Sequence, residues 1–547
     1  MTEEYFTSKE NFDNTKSQIR VTIQSAFYGN NVVEIKTRSE AYELARKSAG
    51  TVELTGMPVF KPVEQGLPKD ANMLLFNDGN VYGRAAAARV ILGEPNADPD
   101  KYATIIREAI YKTRYKKMYH YTAFVGLEED FMIKAHLLIP ETYENVGYNW
   151  MLNFQEITKE YIKMYEKSRK LPEGDIFIFS DPDWSDDEHK MGLSFFDPVH
   201  NCASLLGLRY FGEHKKGTLT LGWGAAARNN YASCHGGLKR YNISDKEKFT
   251  VAVFGLSGSG KSTITHAVHN NKYQITVLHD DAFIINVDKK YSIALEPTYF
   301  DKTADYPMGC PDNKFIITLQ NNGVIPDTNG KLIAVTSDVR NGNGRAIKSK
   351  FWSPNRVDRI DEPINAIFWL MKDATIPPVL KLTGASLGSA FGATLATKRT
   401  SAERLAPGVD PNALVVEPYA NPFRTYPLSV DYEKFKQLIN DGVDCYILNT
   451  GDFRGKKVKP QDTLGIIEAI IAKTAKFKQW EKFSDIEIID IDGFDTSLSD
   501  KTYNNEFKER IKDRIRFVKD RETFKGGVDK LPEDCLKALE IVLSQVE

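Results

Sequence analysis

The octapeptide Gly255-Leu256-Ser257-Gly258-Ser259-Gly260-Lys261-Ser262 constrains this chain more than any other stretch. It fits the pattern of a phosphate-cradling loop, G-x-x-x-x-G-K-[ST], in full. It follows a β-rich run, Phe249 to Phe254, and a helix is expected to begin at Lys261. Glycines at these places let the backbone fold tightly, so that successive N–H groups can point at phosphate oxygens. Lys261 supplies a mobile cation for the β- and γ-phosphates, and the Ser262 hydroxyl can sit on a divalent metal. With Thr263 the loop therefore predicts binding of a nucleotide triphosphate, ATP with a divalent metal. The run Gln274 to Leu278 predicts the next strand, which places Asp280 and Asp281 where a metal-holding carboxylate belongs. A structural turn and a solvated acid pair are the plain alternatives. Strand, loop and helix in register argue against the first.

The rest of the chain sets limits. It has 547 residues, 41% hydrophobic and 27% charged, which is enough to bury a sizeable core. The formal net charge of -2 gives no global reason to expect a nucleic-acid or membrane partner. Five cysteines, widely spaced and without a C-x-x-C pair, argue against a disulfide framework or a structural zinc site. No segment approaches about 18 uninterrupted apolar residues, and the polar start MTEEYFTSKENFD lacks a signal-peptide core. Together these predict a cytoplasmic protein.

Several elements can be placed by pattern. Ser39 to Lys47 predicts a short helix behind a Ser cap. Tyr121 to Pro140 predicts two strands joined by an acidic turn, Leu127 to Asp130. Trp150 to Arg169 reads as helix, and Asp175 to Phe179 as a buried strand. Gly217 to Trp223 (GTLTLGW) alternates and so predicts a strand. Gly236 to Arg240, followed by a polar run, predicts a connector. The expected domains are therefore 1–245 and 246–547. Strands are also expected at Val443 to Leu448 and Ile486 to Ile491, and a helix at Thr463 to Lys473. Asn505 to Arg521 reads as a helix with a solvated face.

A second constellation lies upstream of the loop: Tyr210-Phe211-Gly212-Glu213-His214-Lys215-Lys216-Gly217, then Ser233-Cys234-His235-Gly236. With the loop and the Asp pair after it, this order resembles the ATP-dependent phosphoenolpyruvate carboxykinases. That family carries Y-G-G-E-M-K-K-G, a histidine, F-G-L-S-G-T-G-K-T and D-D in the same sequence. Further segments also resemble it. They are Tyr82-Gly83-Arg84, Pro182-Asp183-Trp184, Glu296 to Thr303, Asn343-Gly344-Arg345 and Lys457 to Thr463. The resemblance spans roughly residues 75 to 500.

It implies a two-domain α/β fold of the carboxykinase type, with the phosphate loop in the C-terminal domain and the active site in an interdomain cleft. It implies that Lys216, His235 and Asp281, with Asp280 beside them, serve a transition metal, Mn2+. Ser262 would hold the Mg2+ of ATP. Arg84, Tyr210 and Arg345 would bind oxaloacetate or phosphoenolpyruvate, and Lys261 and Lys302 would neutralise the transferring phosphate. Glu296, Lys457 and Thr463 would lie on the nucleotide side. CO2 would be the other small-molecule partner. The family's T-G-R-S-P-K-D-K is YGRAAAAR here, and its E-H-G-W after the Asp pair is Ala282-Phe283-Ile284-Ile285. These departures leave two alternatives open: a kinase on the same scaffold with another substrate, and a non-catalytic nucleotide-binding regulator.

Overall fold

The computed structural model describes residues 17–77, 85–168, 171–256, 258–307, 309–336, 344–398, 410 and 413–546. These form a mixed α/β protein that clusters into two compact units. The first holds the residues before 226 together with Ala294–Pro354. The second holds Ala226–Ile293, the described part of 355–400, and the chain from Asp410 on. The division is thus discontinuous, whereas the sequence pattern suggested one boundary near residue 245.

The first unit contains a seven-stranded sheet among its described residues. In order its strands are Val32–Ile35, Met118–Glu128, Phe131–Pro140, Ile176–Asp181, Cys202–Leu206, Leu193–Asp197 and Arg89–Ile91. The expected hairpin is present, with Met118–Glu128 antiparallel to Phe131–Pro140 around the acidic turn. Every residue of Phe131–Pro140 is buried, Lys134 and His136 included. A second, five-stranded sheet joins Tyr299–Lys302, Arg345–Lys348, Ile316–Gln320, Asn72–Phe76 and Thr51–Pro58. The helix predicted behind Ser39 runs Arg38–Ala45 and is capped by Thr37, whose side chain accepts from Glu40 N–H in a capping box. The long helix predicted from Trp150 is two helices, Glu144–Asn153 and Lys159–Ser168.

The expected strand Gly217 to Trp223 is instead part of the helix Phe211–Arg228. This helix is buried on all sides from Phe211 to Ala227 except at Lys216, which is half-buried. A helix covered all round shows no polar stripe, so the chance alternation of Thr and Leu was the only period left to read. Thr218 donates its hydroxyl to the His214 carbonyl one turn back, at 2.9 Å.

Among its described residues the second unit is built on an eleven-stranded sheet. The segment expected to be a connector, Gly236 to Arg240, lies inside its central strand, Tyr231–Asn242. That strand pairs antiparallel with Lys248–Phe254, Gln274–His279 and Ala282–Asn286. Its glycines serve close packing rather than a turn. A Cβ on Gly236 would lie 2.7 Å from the Val253 carbonyl, and one on Gly237 only 1.9 Å from Thr265 Oγ1. Lys248–Phe254, Ala366–Met371 and Asp444–Asn449 then run parallel to one another. Val251, Val253, Phe368, Leu370 and Leu448 form the core beside them. The helix Lys501–Asp520 is not merely solvated: Tyr503, Phe507, Ile511, Arg514, Ile515 and Val518 bury one face of it. All five cysteines are free, and no helix among the described residues is long and apolar enough to cross a membrane.

Candidate functional site

The phosphate loop leaves the buried end of Lys248–Phe254 and enters the helix Lys261–His266. Gly255 has no room for a side chain, since a Cβ would lie 2.3 Å from Ser259 Oγ and 2.9 Å from Leu370 Cβ. Gly258 and Gly260 take left-handed φ values of +80° and +93°, which glycine adopts without strain. Ser259 N–H closes the turn onto the Leu256 carbonyl at 3.0 Å. Ser257 lies outside the described residues. Lys261 is 8% exposed, Ser262 half-buried and Thr263 exposed. Behind the helix, the wholly buried Lys239 donates its ammonium to the carbonyls of Ile264 and Ala267, at 2.5 and 2.9 Å. Those are carbonyls that the end of so short a helix leaves in need of donors.

His235, Asp281 and Lys261 meet within this unit. Asp281 Oδ1 is 3.1 Å from His235 Nε2 and 3.4 Å from Lys261 Nζ. The other imidazole nitrogen, Nδ1, lies 2.5 Å from the Ala420 carbonyl. A carbonyl can only accept, so Nδ1 carries a proton; Nε2 then donates to Asp281 while the ring is protonated, and in the neutral tautomer its lone pair can serve a metal. The carbonyl is aimed by two consecutive left-handed residues, Tyr419 at φ 53° and Ala420 at φ 54°. Neighbours hold them there: the Tyr419 hydroxyl bonds to Ser389, and its ring stacks on Phe435 with centroids 4.8 Å apart. Such strain persists only where the surroundings over-determine it. An imidazole nitrogen beside a carboxylate oxygen suits a divalent transition metal, and a carbonyl accepting from the other ring nitrogen is the usual means of orienting such a ligand.

Asp280 has a different environment from Asp281. It is 3% exposed and lies 3.4 Å from His266 Nε2. Burial alone would raise its carboxyl. The contact with His266 and the charges of His266, His279 and Lys261 outweigh burial and hold it well below the ordinary range. His279 Nδ1 accepts from the N–H groups of Asp281 and Ala282, at 3.0 and 3.2 Å, and so shapes the turn that presents both acids.

The remaining candidates of this unit sit farther along the chain. Lys457 is exposed, in the two-residue strand Lys456–Lys457. Thr463 is buried in the first turn of Pro460–Ile471.

In the first unit, Tyr210 directly precedes the helix Phe211–Arg228, and its ring lies 6.3 Å from that of Phe300. Gly212 allows the ring to fold back, since a Cβ there would meet it at 2.2 Å. Glu213 accepts from Ala85 N–H at 2.5 Å, which ties the residue after Arg84 to this helix start. Arg84 itself lies outside the described residues. Of the two adjacent lysines, Lys215 is wholly buried and pairs with the equally buried Glu296 at 2.9 Å. Asn153 donates to the other oxygen of Glu296 at 2.6 Å. Glu296 is thus engaged inside the first unit rather than presented on a surface. Lys216 keeps partial exposure, with its ammonium 5.4 Å from the Trp223 ring centre.

Lys302 and Arg345 are direct partners across two antiparallel strands. Like charges placed so repel each other, an arrangement that an anionic ligand relieves. Arg345 is 5% exposed and donates to the Gly344 carbonyl at 3.0 Å. The acids nearby include Asp305, whose carboxyl is raised by burial and by Asp301 and lowered by Lys302, Arg345 and Lys348, with a net rise.

Two participants escaped the sequence reading. Ala420 acts through its carbonyl, which no side-chain pattern reveals. Lys372 donates to the Gly258 carbonyl inside the phosphate loop at 2.7 Å. The one available signal for it was its place directly after the buried run Ala366–Met371.

The sequence profile of a family described as phosphoenolpyruvate carboxykinase matches residues 81–489, well over half of the chain. Curated relatives named phosphoenolpyruvate carboxykinase (ATP) align at low identity. That of Aeropyrum pernix is 25% identical over 349 residues, 59% of this chain and 67% of the relative. A Bradyrhizobium protein is 24% identical over 390 residues, 66% of each chain. That of Geotalea uraniireducens is 23% identical over 463 residues, 77% of this chain and 81% of the relative. The matched span is thus about two thirds of the length of the first two relatives.

Proposed function

Because the chain belongs to the phosphoenolpyruvate carboxykinase family, we propose that it is an enzyme converting oxaloacetate and ATP into phosphoenolpyruvate, ADP and CO2. The observation that carries this reading is the convergence of His235 and Lys261 on the Asp281 carboxylate beside a phosphate loop. A loop that only bound nucleotide would have no need of a histidine held in one tautomer against that acid. The regulator reading is disfavoured for this reason.

Arg84, Tyr210 and Arg345 are assigned to the substrate carboxylates, with the planar guanidinium forks fixing its orientation. Loss of CO2 breaks the C3–C4 bond and leaves its electron pair on an enolate. The enolate oxygen attacks the γ-phosphorus, and the bond from that phosphorus to the bridging oxygen of ADP breaks. Lys261 and Lys302 neutralise charge on the phosphoryl group in flight, where catalysis is chiefly positioning and electrostatics. Lys216, His235 and Asp281 form the assigned Mn2+ ligand set. Lys216 would have to serve as a neutral amine there. When bound, Mn2+ supplies Lewis-acid stabilisation of the enolate oxygen. Ser262 is assigned to the Mg2+ of ATP, and Lys457 and Thr463 to the neighbourhood of the base. Exclusion of water protects the enolate from protonation.

One observation favours the second reading, a kinase acting on another small carboxylate. Ala282–Asn286 is a fully buried strand paired with Tyr231 to His235, so it offers a substrate no polar side chain from Ala282 to Ile285. ADP release measured with Mn2+ and a panel of small carboxylates separates the two. Turnover specific to oxaloacetate is expected. Turnover with a different acid and none with oxaloacetate would replace the first reading by the second.

A further inference from the structure

We propose that Lys372 is a second nucleotide-binding cation, whose ammonium leaves the Gly258 carbonyl and takes a phosphate oxygen when ATP enters the loop. The inference rests on the nucleotide reading of that loop and adds a residue that the family motifs did not single out.

The argument starts from position. Lys372 follows the last residue of Ala366–Met371, which runs parallel to the loop strand with Phe254 opposite Trp369. Both strands therefore end on the same side, and ligands of parallel sheets bind outside the carboxyl ends of the strands. Asp444–Asn449 flanks Ala366–Met371 on its other edge, also parallel, so Lys372 stands at the end of the middle strand of three.

The backbone at this point is held firmly. Thr450 N–H donates to the Met371 carbonyl at 2.9 Å, and Lys372 N–H donates to the Ala396 carbonyl at 3.3 Å. Gly451 packs so closely that a Cβ there would lie 3.3 Å from both Cα and Cβ of Lys372. A fixed base with a four-carbon stem is a suitable mount for a cation that must exchange one partner for another.

The ammonium's present partner is a neutral carbonyl within the loop, at 2.7 Å. After burial, which lowers its proton affinity, the strongest influence on it is another cation, Lys398. A half-buried ammonium beside a like charge, resting on a carbonyl in a loop built to receive phosphate, is an arrangement that an anion completes. An ammonium–phosphate bond is charge-assisted on both sides and stronger than an ammonium–carbonyl bond. The exchange moves Nζ only within reach of the same loop, and it frees Gly258 to adjust around the ligand.

The test is isothermal titration of the full chain with ATP and with ADP, in Mg2+, at two salt concentrations. Lys372→Met keeps the length of the stem and removes the charge. It is expected to weaken both nucleotides by about ten-fold or more, the usual worth of a hydrogen bond to a charged group. Its affinity should also depend less steeply on salt, because one screened attraction is gone. Lys372→Arg should retain affinity within about three-fold, since it keeps the charge at that place. Lys478→Met, which removes an exposed lysine paired with Asp490 at 2.6 Å, controls for net charge and should bind as the parent does.

Parent-like affinity in Lys372→Met overturns the proposal. So does a loss accompanied by an unchanged salt dependence, which would make Lys372 a brace of the loop and not a phosphate contact. A parent protein that binds no ATP takes down the nucleotide reading and this inference together. A parent that binds ATP with an indifferent Lys372→Met removes the inference alone.

Discussion

The glycine at 237 offers a quantitative check on how the phosphate loop is held. A Cβ at this position would lie 1.9 Å from Thr265 Oγ1, 3.1 Å from its Cβ and 3.2 Å from its Cγ2. Thr265 is wholly buried, and its hydroxyl donates to the Lys261 carbonyl at 2.9 Å. Gly237→Ala can be accommodated in two ways. Thr265 can rotate and lose that hydrogen bond, at about 0.5–1.5 kcal/mol. Otherwise the helix Lys261–His266 must move away, and overpacking of this kind costs roughly 1–3 kcal/mol. The variant should therefore lose about 2 kcal/mol of stability and, because Lys261 moves with the helix, about ten-fold in ATP affinity. Thr265→Ala alone should cost about 1–2 kcal/mol through the lost hydroxyl and methyl. In the double variant the Oγ1 and Cγ2 contacts are gone, and only the 3.1 Å approach to Cβ remains. Adding Gly237→Ala to Thr265→Ala should then be nearly free, with a coupling energy of about 1–2 kcal/mol. Urea denaturation followed by circular dichroism, with ATP titration of each variant, measures all four corners. Losses that add to within about 0.5 kcal/mol, with ATP affinity unchanged, would refute the claimed contact.

Other consequences are as direct. Lys261→Ala should abolish measurable ATP binding in a protein that still melts cooperatively, as titration calorimetry would show. His235→Ala should weaken Mn2+ binding, read by electron paramagnetic resonance, while ATP affinity changes by less than about three-fold; equal losses of both would contradict the separation of the two sites. Glu296→Gln should destabilise the fold by about 3–5 kcal/mol because it removes the buried negative charge that faces the Lys215 ammonium, visible as a lower urea midpoint.

A pH dependence is also expected. His120 Nε2 lies 2.9 Å from His136 Nδ1 and His136 Nε2 lies 3.1 Å from Asp175, with both rings buried. Burial lowers the proton affinity of each. The unfolded chain therefore binds protons first, and this contribution is intact above about pH 6.5 and lost as pH falls below it, by up to about 1.4 kcal/mol per pH unit and group. His136→Gln should flatten that slope in urea melts between pH 7.5 and 5, and an unchanged slope would exclude the relay as its source.

What could be read from the sequence follows a physical rule. Phe249 to Phe254 and the glycine loop announced themselves because a β-rich run, glycines and a lysine each have a local reason to be there. The hairpin from Met118 to Pro140 was legible through its acidic turn, although both strands are buried along nearly their whole length. Gly217 to Trp223 was misread because burial on every side removes the contrast that periodicity needs. Gly236 and Gly237 read as part of a connector, whereas they make room for Val253 and Thr265 from elsewhere in the sequence. The candidate site divides the same way. Lys261, His235 and Asp281 could be named from their motifs. The tautomer set by Ala420 and the lysine resting on Gly258 depend on partners 185 and 114 residues away.

The most direct test of the central claim is product stoichiometry. The purified chain would be incubated with ATP, Mn2+, Mg2+ and oxaloacetate labelled with 13C at the departing carboxyl, and the products followed by 13C and 31P nuclear magnetic resonance. Phosphoenolpyruvate, ADP and labelled CO2 appearing in equal amounts, and none of them above background in Lys261→Ala, is the predicted result. ATP bound and hydrolysed to ADP and inorganic phosphate, with the label retained in oxaloacetate, would contradict it.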